Sequence, residues 1–260
     1  MLHPRVIPCL LLRNEGLVKT VRFRNPRYIG DPTNAVRILN DKEVDELIFL
    51  DITASRERRP PHFELLARMT SECFMPLCYG GGVRTIAHIR QLFASGLEKV
   101  AINSYAVENP AFVREASDAF GSSSIVVSID VRRSVLGKYE VVTLGGNKKS
   151  GLDPVRFAGE MERMGAGELM VTSVDRDGTM SGYDLEITSR VSSSVGIPVI
   201  ASGGAGSVSD IASAILVGGA SAAAAGSFFV FHGPHRAVLI TYPARAEIEA
   251  AFVEHSGRTQ

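Results

Sequence analysis

The amino-acid sequence predicts a (β/α)₈ barrel, and three observations carry the prediction. Eight apolar runs of strand length recur along the 260 residues, segments of helix length with small polar residues at their starts separate them, and one glycine-centred plan occurs twice. The runs fall at residues 6–12, 46–51, 74–79, 99–102, 125–130, 168–173, 198–202 and 222–225. A doubly wound sheet is the alternative, but the strands are too evenly spaced for it and no GxGxxG follows the first one.

The elements follow in order. The first run carries Pro8 and is flanked by Arg5 and Arg13, which suits a barrel strand better than a signal peptide or a membrane span of about 20 residues. Residues 14–30 are rich in arginine, lysine and aromatics, and read as a long loop over the catalytic face, a candidate mobile lid. Asp31 starts a helix over 32–41. The second strand ends on Asp51, and the third leads into the glycine run CYGGGVR. Helices then follow Thr85 (86–93) and Asn109 (110–120), on either side of a fourth strand that closes on Ser104. The fifth strand ends on Asp130, after which residues 132–150 read as a small hairpin with a basic, glycine-rich loop. The sixth runs into SVDRDG, bearing Asp175 and Asp177; the seventh runs into ASGGAG. A helix over 208–216 follows Ser207, and the eighth strand closes on Ser227. Residues 228–235 are expected to end the eighth-strand region, and residues 236–252 to form a last helix interrupted near Pro243.

Composition narrows the function. With 28 basic and 28 acidic side chains and 45% apolar residues, the chain reads as one barrel domain over residues 1–260, near the usual barrel size of about 250 residues. Zero net charge gives no reason to expect nucleic acid or an anionic membrane as partner, and the expected location is the cytoplasm. Cys9, Cys73 and Cys78 are odd in number and lack CxxC spacing, so they read as buried small apolar groups. His232 and His235 flank Gly-Pro with no acid nearby and read as surface residues. Neither a metal nor an organic cofactor is expected.

Chemistry belongs where barrel strands end. Asp51, Asp130, Asp175 and Asp177 stand at such ends without metal-binding histidines, which points to acid/base work or hydroxyl binding; Lys19 is available to neutralise phosphate or donate a proton. Glycines 80–82 and 203–204 let backbone N–H groups approach phosphate oxygens. The second copy lies about 122 residues after the first, Gly204 against Gly82, and two facing copies predict a ligand with two phosphates.

Over residues 3–229 the stretches RVIPCL, GDP, DELIFLDITAS, GGGVR, EKVAINSYAVENP, VVSID, GAGELMVTSVDRDGTMSGYDLE and PVIASGGAG resemble the cyclase subunit of imidazole glycerol phosphate synthase. That resemblance implies a bisphosphate ribosyl-ribulosyl substrate and ammonia delivered from a glutaminase through the far end of the barrel. It makes Asp130 the general acid/base, with Lys19, Asp51, Asn103 and Asp177 as active-site groups. It makes Gly82, Asn103, Ser104, Gly204, Gly226 and Ser227 phosphate-gripping positions, and Arg5, Glu46, Lys99 and Glu168 a charged gate for ammonia.

One position departs. The family pattern CLDV stands here as Cys9, Leu10, Leu11, Leu12, so leucine replaces the carboxylate that partners Asp130. Leucine transfers no proton. A lost acid with an intact gate is similar to the family's paralogue in surface-polysaccharide (O-antigen, lipopolysaccharide) biosynthesis, which implies a sugar amidotransferase as a third partner and conversion of acetamido to acetamidino groups on a nucleotide sugar. The alternatives are the histidine-pathway cyclase itself and a non-catalytic scaffold for the glutaminase.

Overall fold

The computed structural model describes residues 4–258. The first strand, β1 (Arg5–Arg13), turns straight into a hairpin of β2 (Gly16–Val21) and β3 (Arg24–Gly30). There follow α1 (Pro32–Asp41), β4 (Leu47–Asp51), α2 (Ala54–Glu57), α3 (Phe63–Thr70), β5 (Leu77–Gly80), α4 (Ile86–Ala94), β6 (Lys99–Ile102), α5 (Ser104–Glu108) and α6 (Ala111–Phe120). The second half contains β7 (Ile125–Arg133), a hairpin of β8 (Tyr139–Thr143) and β9 (Lys148–Lys149), α7 (Pro154–Arg163), β10 (Glu168–Ser173), α8 (Leu185–Ser192), β11 (Val199–Ser202), α9 (Val208–Leu216), β12 (Ala222–Ala225) and α10 (Ser227–Val230). A short pair, β13 (Phe231–His232) and β14 (Ala237–Val238), precedes α11 (Arg245–Arg258).

Eight parallel strands close on themselves in the order β1, β4, β5, β6, β7, β10, β11, β12, with β12 returning to β1. This is the (β/α)₈ barrel. Helix starts are set as the sequence suggests: Asp31, Thr85 and Ser207 accept the N–H of Asn34, His88 and Asp210.

Alternate residues of each strand divide two cores. Ile7, Cys9, Ile48, Cys78, Ala101, Val126, Met170, Ile200, Ala222 and Ala224 fill the barrel interior. Their neighbours in the chain, such as Leu10, Leu12, Phe49, Tyr79 and Val127, pack outward against the helices. A fully buried side chain of this kind contributes about 1.5–3 kcal/mol, so the double core fixes where the strand ends lie. Cys9 and Cys78 are buried, Cys73 is half-buried, and all three are free thiols.

Two expectations change. Residues 14–30 are a twisted hairpin continuing the barrel sheet, with β2 antiparallel to both β1 and β3. The tail places a hairpin where a strand end was expected and starts its helix at Arg245, beyond Pro243, since proline supplies no helical N–H. Among the described residues, no helix is long and apolar enough to cross a membrane.

Candidate active site

A cavity of about 510 Å³ opens at the ends of the barrel strands. It is lined by Leu11, Lys19, Asp51, Asn103, Ser104, Asp130 and Asp177, together with Gly82, Gly204, Gly226 and Ser227. Asp130 ends the inward face of β7 and lies 9% exposed. Burial pushes its carboxyl up to about 7; Asn103 pulls it back, the charge of Asp177 raises it further, and Arg132 lowers it. A carboxyl in that range can give and take protons at neutral pH.

Lys19 comes from β2, which the register of β1 with β2 folds over the mouth. Its ammonium lies 3.6 Å from Asp177 Oδ1, and Thr20 Oγ1 donates to Asp177 Oδ2 at 3.1 Å. Backbone bonds hold the hairpin there: Arg22 N–H donates to the Asp177 carbonyl at 2.8 Å. A methyl group on Gly226 would stand 2.5 Å from Lys19 Nζ, so glycine is what lets the lysine lie against the end of β12.

Asp51 is differently occupied. Its Oδ1 accepts from the N–H groups of Thr53 and Ala54, both at 3.0 Å, and from the Thr53 hydroxyl, while Oδ2 pairs with Arg59 at 2.9 Å. Asp51 therefore clamps the turn into α2. Asp175 does not line the cavity: its Oδ2 accepts Arg133 N–H at 2.8 Å and ties the second hairpin to the β10 loop. Arg59 and Thr20 escape sequence reasoning because each joins the site through a partner apart in the chain or outside any motif.

The two glycine clusters follow β5 and β11, and the matching short helices α5 and α10 begin at Ser104 and Ser227. Gly82 (φ +70) and Gly204 (φ +121) are required by backbone packing as well: a Cβ would meet the Arg59 carbonyl at 2.3 Å and the Gly182 carbonyl at 2.2 Å. The copies differ in their serines. The Ser104 hydroxyl donates to Asn103 Oδ1 at 3.1 Å and accepts Leu144 N–H at 3.0 Å, fastening the β8–β9 hairpin. The Ser227 hydroxyl is buried without a hydrogen-bond partner among the described residues.

At the other end, Arg5, Glu46, Lys99 and Glu168 form a closed ring. Arg5 donates to Glu46 at 2.7 Å and to Glu168; Lys99 donates to Glu46 at 3.0 Å and to Glu168 at 3.1 Å. Burial alone would lower the pKa of Arg5 and of Lys99, but the two glutamates more than offset it and both are raised. Among the described residues, no group of three or more histidine, cysteine or acidic side chains is arranged to hold a metal ion.

Comparison with known proteins gives these positions a context. Residues 5–235 match the family model described as histidine biosynthesis protein. A Pseudomonas aeruginosa protein with the provisional name imidazole glycerol phosphate synthase subunit hisF2 is 50% identical over 243 residues, 94% of this chain and 97% of its own. A Leptospira borgpetersenii protein with the provisional name imidazole glycerol phosphate synthase subunit HisF is 46% identical over 253 residues, 97% of this chain and 100% of its own. The imidazole glycerol phosphate synthase subunit HisF of Alkaliphilus metalliredigens is 48% identical over 232 residues, 89% of this chain and 92% of its own. These relatives overturn the expectation drawn from Leu11, namely sugar amidation in O-antigen or lipopolysaccharide biosynthesis with a sugar amidotransferase as third partner. The physical reason is that one leucine removes one carboxylate and leaves the ring of Arg5, Glu46, Lys99 and Glu168, the lysine, Asp130 and both glycine clusters as they are. The chain belongs to the histidine biosynthesis protein family.

Proposed function

We propose that the chain is the cyclase subunit of an imidazole glycerol phosphate synthase, which closes an imidazole ring on a bisphosphate substrate with ammonia supplied by a glutaminase docked at the barrel bottom. The observation that carries this reading is the meeting of Asp130 and the Lys19–Asp177 pair in one mouth between two matching glycine-and-serine clusters, in a chain of this family. One substrate phosphate is held by Gly82, Asn103 and Ser104 and the other by Gly204, Gly226 and Ser227, whose hydroxyl, without a partner among the described residues, supports a role toward a ligand oxygen. Asp130 removes a proton from the attacking nitrogen and returns one to the departing oxygen, work suited to a carboxyl near 7. Lys19 stabilises developing negative charge, with Asp177 fixing its direction. Asp51 acts by holding the α2 turn in place. At the bottom, the paired ring keeps water and ions out of the apolar interior until the glutaminase docks, and neutral ammonia then passes inward.

Leu11 leaves the reaction with one proton-transfer carboxylate at a mouth where the family pattern has two. Turnover of the histidine-pathway bisphosphate with ammonium is therefore slow but measurable. Leu11→Asp raises it toward the lower end of the roughly 10²–10⁴-fold that general acid/base groups contribute. Absence of the imidazole product from both proteins overturns the proposal and leaves a barrel that only binds its glutaminase.

A further inference from the structure

One hairpin holds Asp177 from three directions. The Arg22 N–H donates to its carbonyl at 2.8 Å, the Thr20 hydroxyl donates to Oδ2 at 3.1 Å, and the Lys19 ammonium stands 3.6 Å from Oδ1. Lys19 and Thr20 are consecutive in β2, and in a regular strand their side chains would leave on opposite faces. Both are buried and both line the cavity, because the pairing of β2 with β3 shifts register between Lys19 and Val21. Irregularities of this kind re-aim side chains beside a site. The space on either side is fixed as well. A Cβ on Gly178 (φ +72) would run into the Thr20 carbonyl, and one on Gly226 would stand 2.5 Å from Lys19 Nζ.

The two side-chain contacts to this carboxylate differ in kind. Thr20 is at hydrogen-bond distance, whereas Lys19 at 3.6 Å is attracted as a charge but lies beyond the roughly 2.7–2.9 Å of a short ammonium–carboxylate bond. The ammonium therefore keeps its donors for a ligand in the cavity. We propose that Thr20 is a positioning residue: by occupying Oδ2 it fixes the plane of the Asp177 carboxylate, which keeps the Lys19 ammonium facing the mouth instead of folded onto its partner. Asp177 is 8% exposed, so an oxygen deprived of the hydroxyl has little water to turn to and is satisfied by rotating onto the ammonium. A closed Lys19–Asp177 bond would withdraw from the mouth the positive charge that stabilises the reaction. Thr20 acts only through Asp177, and its backbone neighbours hold the hairpin in place independently of the hydroxyl.

Thr20→Val keeps the branched shape and removes the hydroxyl, while Thr20→Ser keeps the hydroxyl. Crystal structures of the full chain and both variants are the first measurement. In Thr20→Val the Asp177 carboxylate is expected to turn and its separation from Lys19 Nζ to shorten to about 3 Å, and Thr20→Ser is expected to keep the wild-type geometry. Ammonium-dependent turnover of the bisphosphate is the second measurement, and this arm rests on the ring-closing reading. There kcat is expected to fall about tenfold in Thr20→Val with KM for the bisphosphate within about twofold, and Thr20→Ser to restore most of the rate. Amide exchange at Arg22 is expected to stay slow in both variants, because its backbone bond is untouched. An Asp177 that does not move, an unchanged kcat, or a serine variant as slow as the valine one overturns the assignment. So does faster exchange at Arg22, which would trace the loss to an unseated hairpin. Absence of product from the wild-type protein counts against the ring-closing reading instead, and the crystal structures alone then decide the role of Thr20.

Discussion

The two ends of the barrel use the same kinds of side chain to opposite effect. At the bottom, each of Arg5, Lys99, Glu46 and Glu168 meets two partners of opposite sign, and nothing is left over. At the mouth, burial raises the pKa of the Asp130 carboxyl, and among the described residues the Ser227 hydroxyl has no hydrogen-bond partner. Buried ion pairs often stabilise no better than packed apolar groups of the same volume, so a four-charge ring in a barrel that could be closed by leucines is not explained by stability alone. Uncompensated polar groups at the open end are complementary to something the chain itself does not supply. Completeness at one end and incompleteness at the other separate a closed barrel bottom from a mouth left open to a ligand.

Replacing the acid of the mouth is the strongest way to test that contrast. Asp130→Asn is expected to reduce ammonium-dependent turnover by roughly 10²–10⁴-fold while the fold is kept, since asparagine fills the same space without transferring a proton. It also changes how stability depends on pH. The folded-state pKa of Asp130 is raised to about 7 from the ordinary 3.8. Below about 4 both folded and unfolded chains are protonated there, and between the two values only the unfolded chain ionises. Stability is therefore lost as pH rises toward 7, by roughly 2–4 kcal/mol from this group. Thermal unfolding between pH 5 and 8 should show a smaller decline for Asp130→Asn than for wild type. Parallel curves would mean that the mouth is compensated after all.

The bottom of the barrel is expected to respond in stability first. Glu168→Ala leaves Arg5 and Lys99 sharing Glu46 alone, and removing one partner from a buried ionic group costs about 3–5 kcal/mol. Denaturant unfolding measures this directly. Glu168→Gln retains acceptor geometry and should cost less. A loss below about 1 kcal/mol for the alanine variant would place the ring among ordinary surface pairs and remove half of the contrast.

How much of this was legible in the sequence follows from where each signal resides. The barrel strands are buried on both faces, so they appear as continuous apolar runs, and the runs ending on Asp51, Asp130 and Ser173 are found within a residue or a few of their true ends. Helix starts are legible because a cap is a local event, as at Asp31 and Ser207. The hairpin over residues 14–30 looks like a loop in the sequence because the bend between β2 and β3 carries no glycine or asparagine: Arg22 and Phe23 hold φ of +53 and +61 themselves. The pairing of Asp51 with Arg59 and of Ser104 with Leu144 N–H had no signal, since neither partner belongs to a motif. Residue types announce which groups are chemically capable; only the folded contacts reveal that Asp51 is held by Arg59 and the α2 turn and Asp175 by the Arg133 N–H, while Asp130 faces the cavity beside Asn103.

The smallest effect concerns the structure joining the mouth to the barrel wall. Tyr139 opens β8, and its hydroxyl lies 2.9 Å from Asp184 Oδ1 and 3.2 Å from Glu186 Oε2, at the start of α8. Arg133 and Arg190 lie against its ring at 5.2 and 5.7 Å, and the phenol pKa is raised by burial and by the two acids. Tyr139→Phe keeps the ring and both cation–π contacts and removes only the hydroxyl, so the cost should be that of hydrogen bonding to a charged acceptor, about 1–2 kcal/mol. The β8–β9 hairpin also fastens Ser104 through Leu144, so its amides should exchange faster in the variant while those of β1 and β12 are unchanged. Slower turnover accompanying that local loosening would make the hairpin part of the mouth's machinery, because the barrel beneath it is untouched. A global loss as large as that of Glu168→Ala, with exchange rising in every strand, would instead make the hairpin part of the frame, and the division between a complete end and an incomplete one would have to be redrawn.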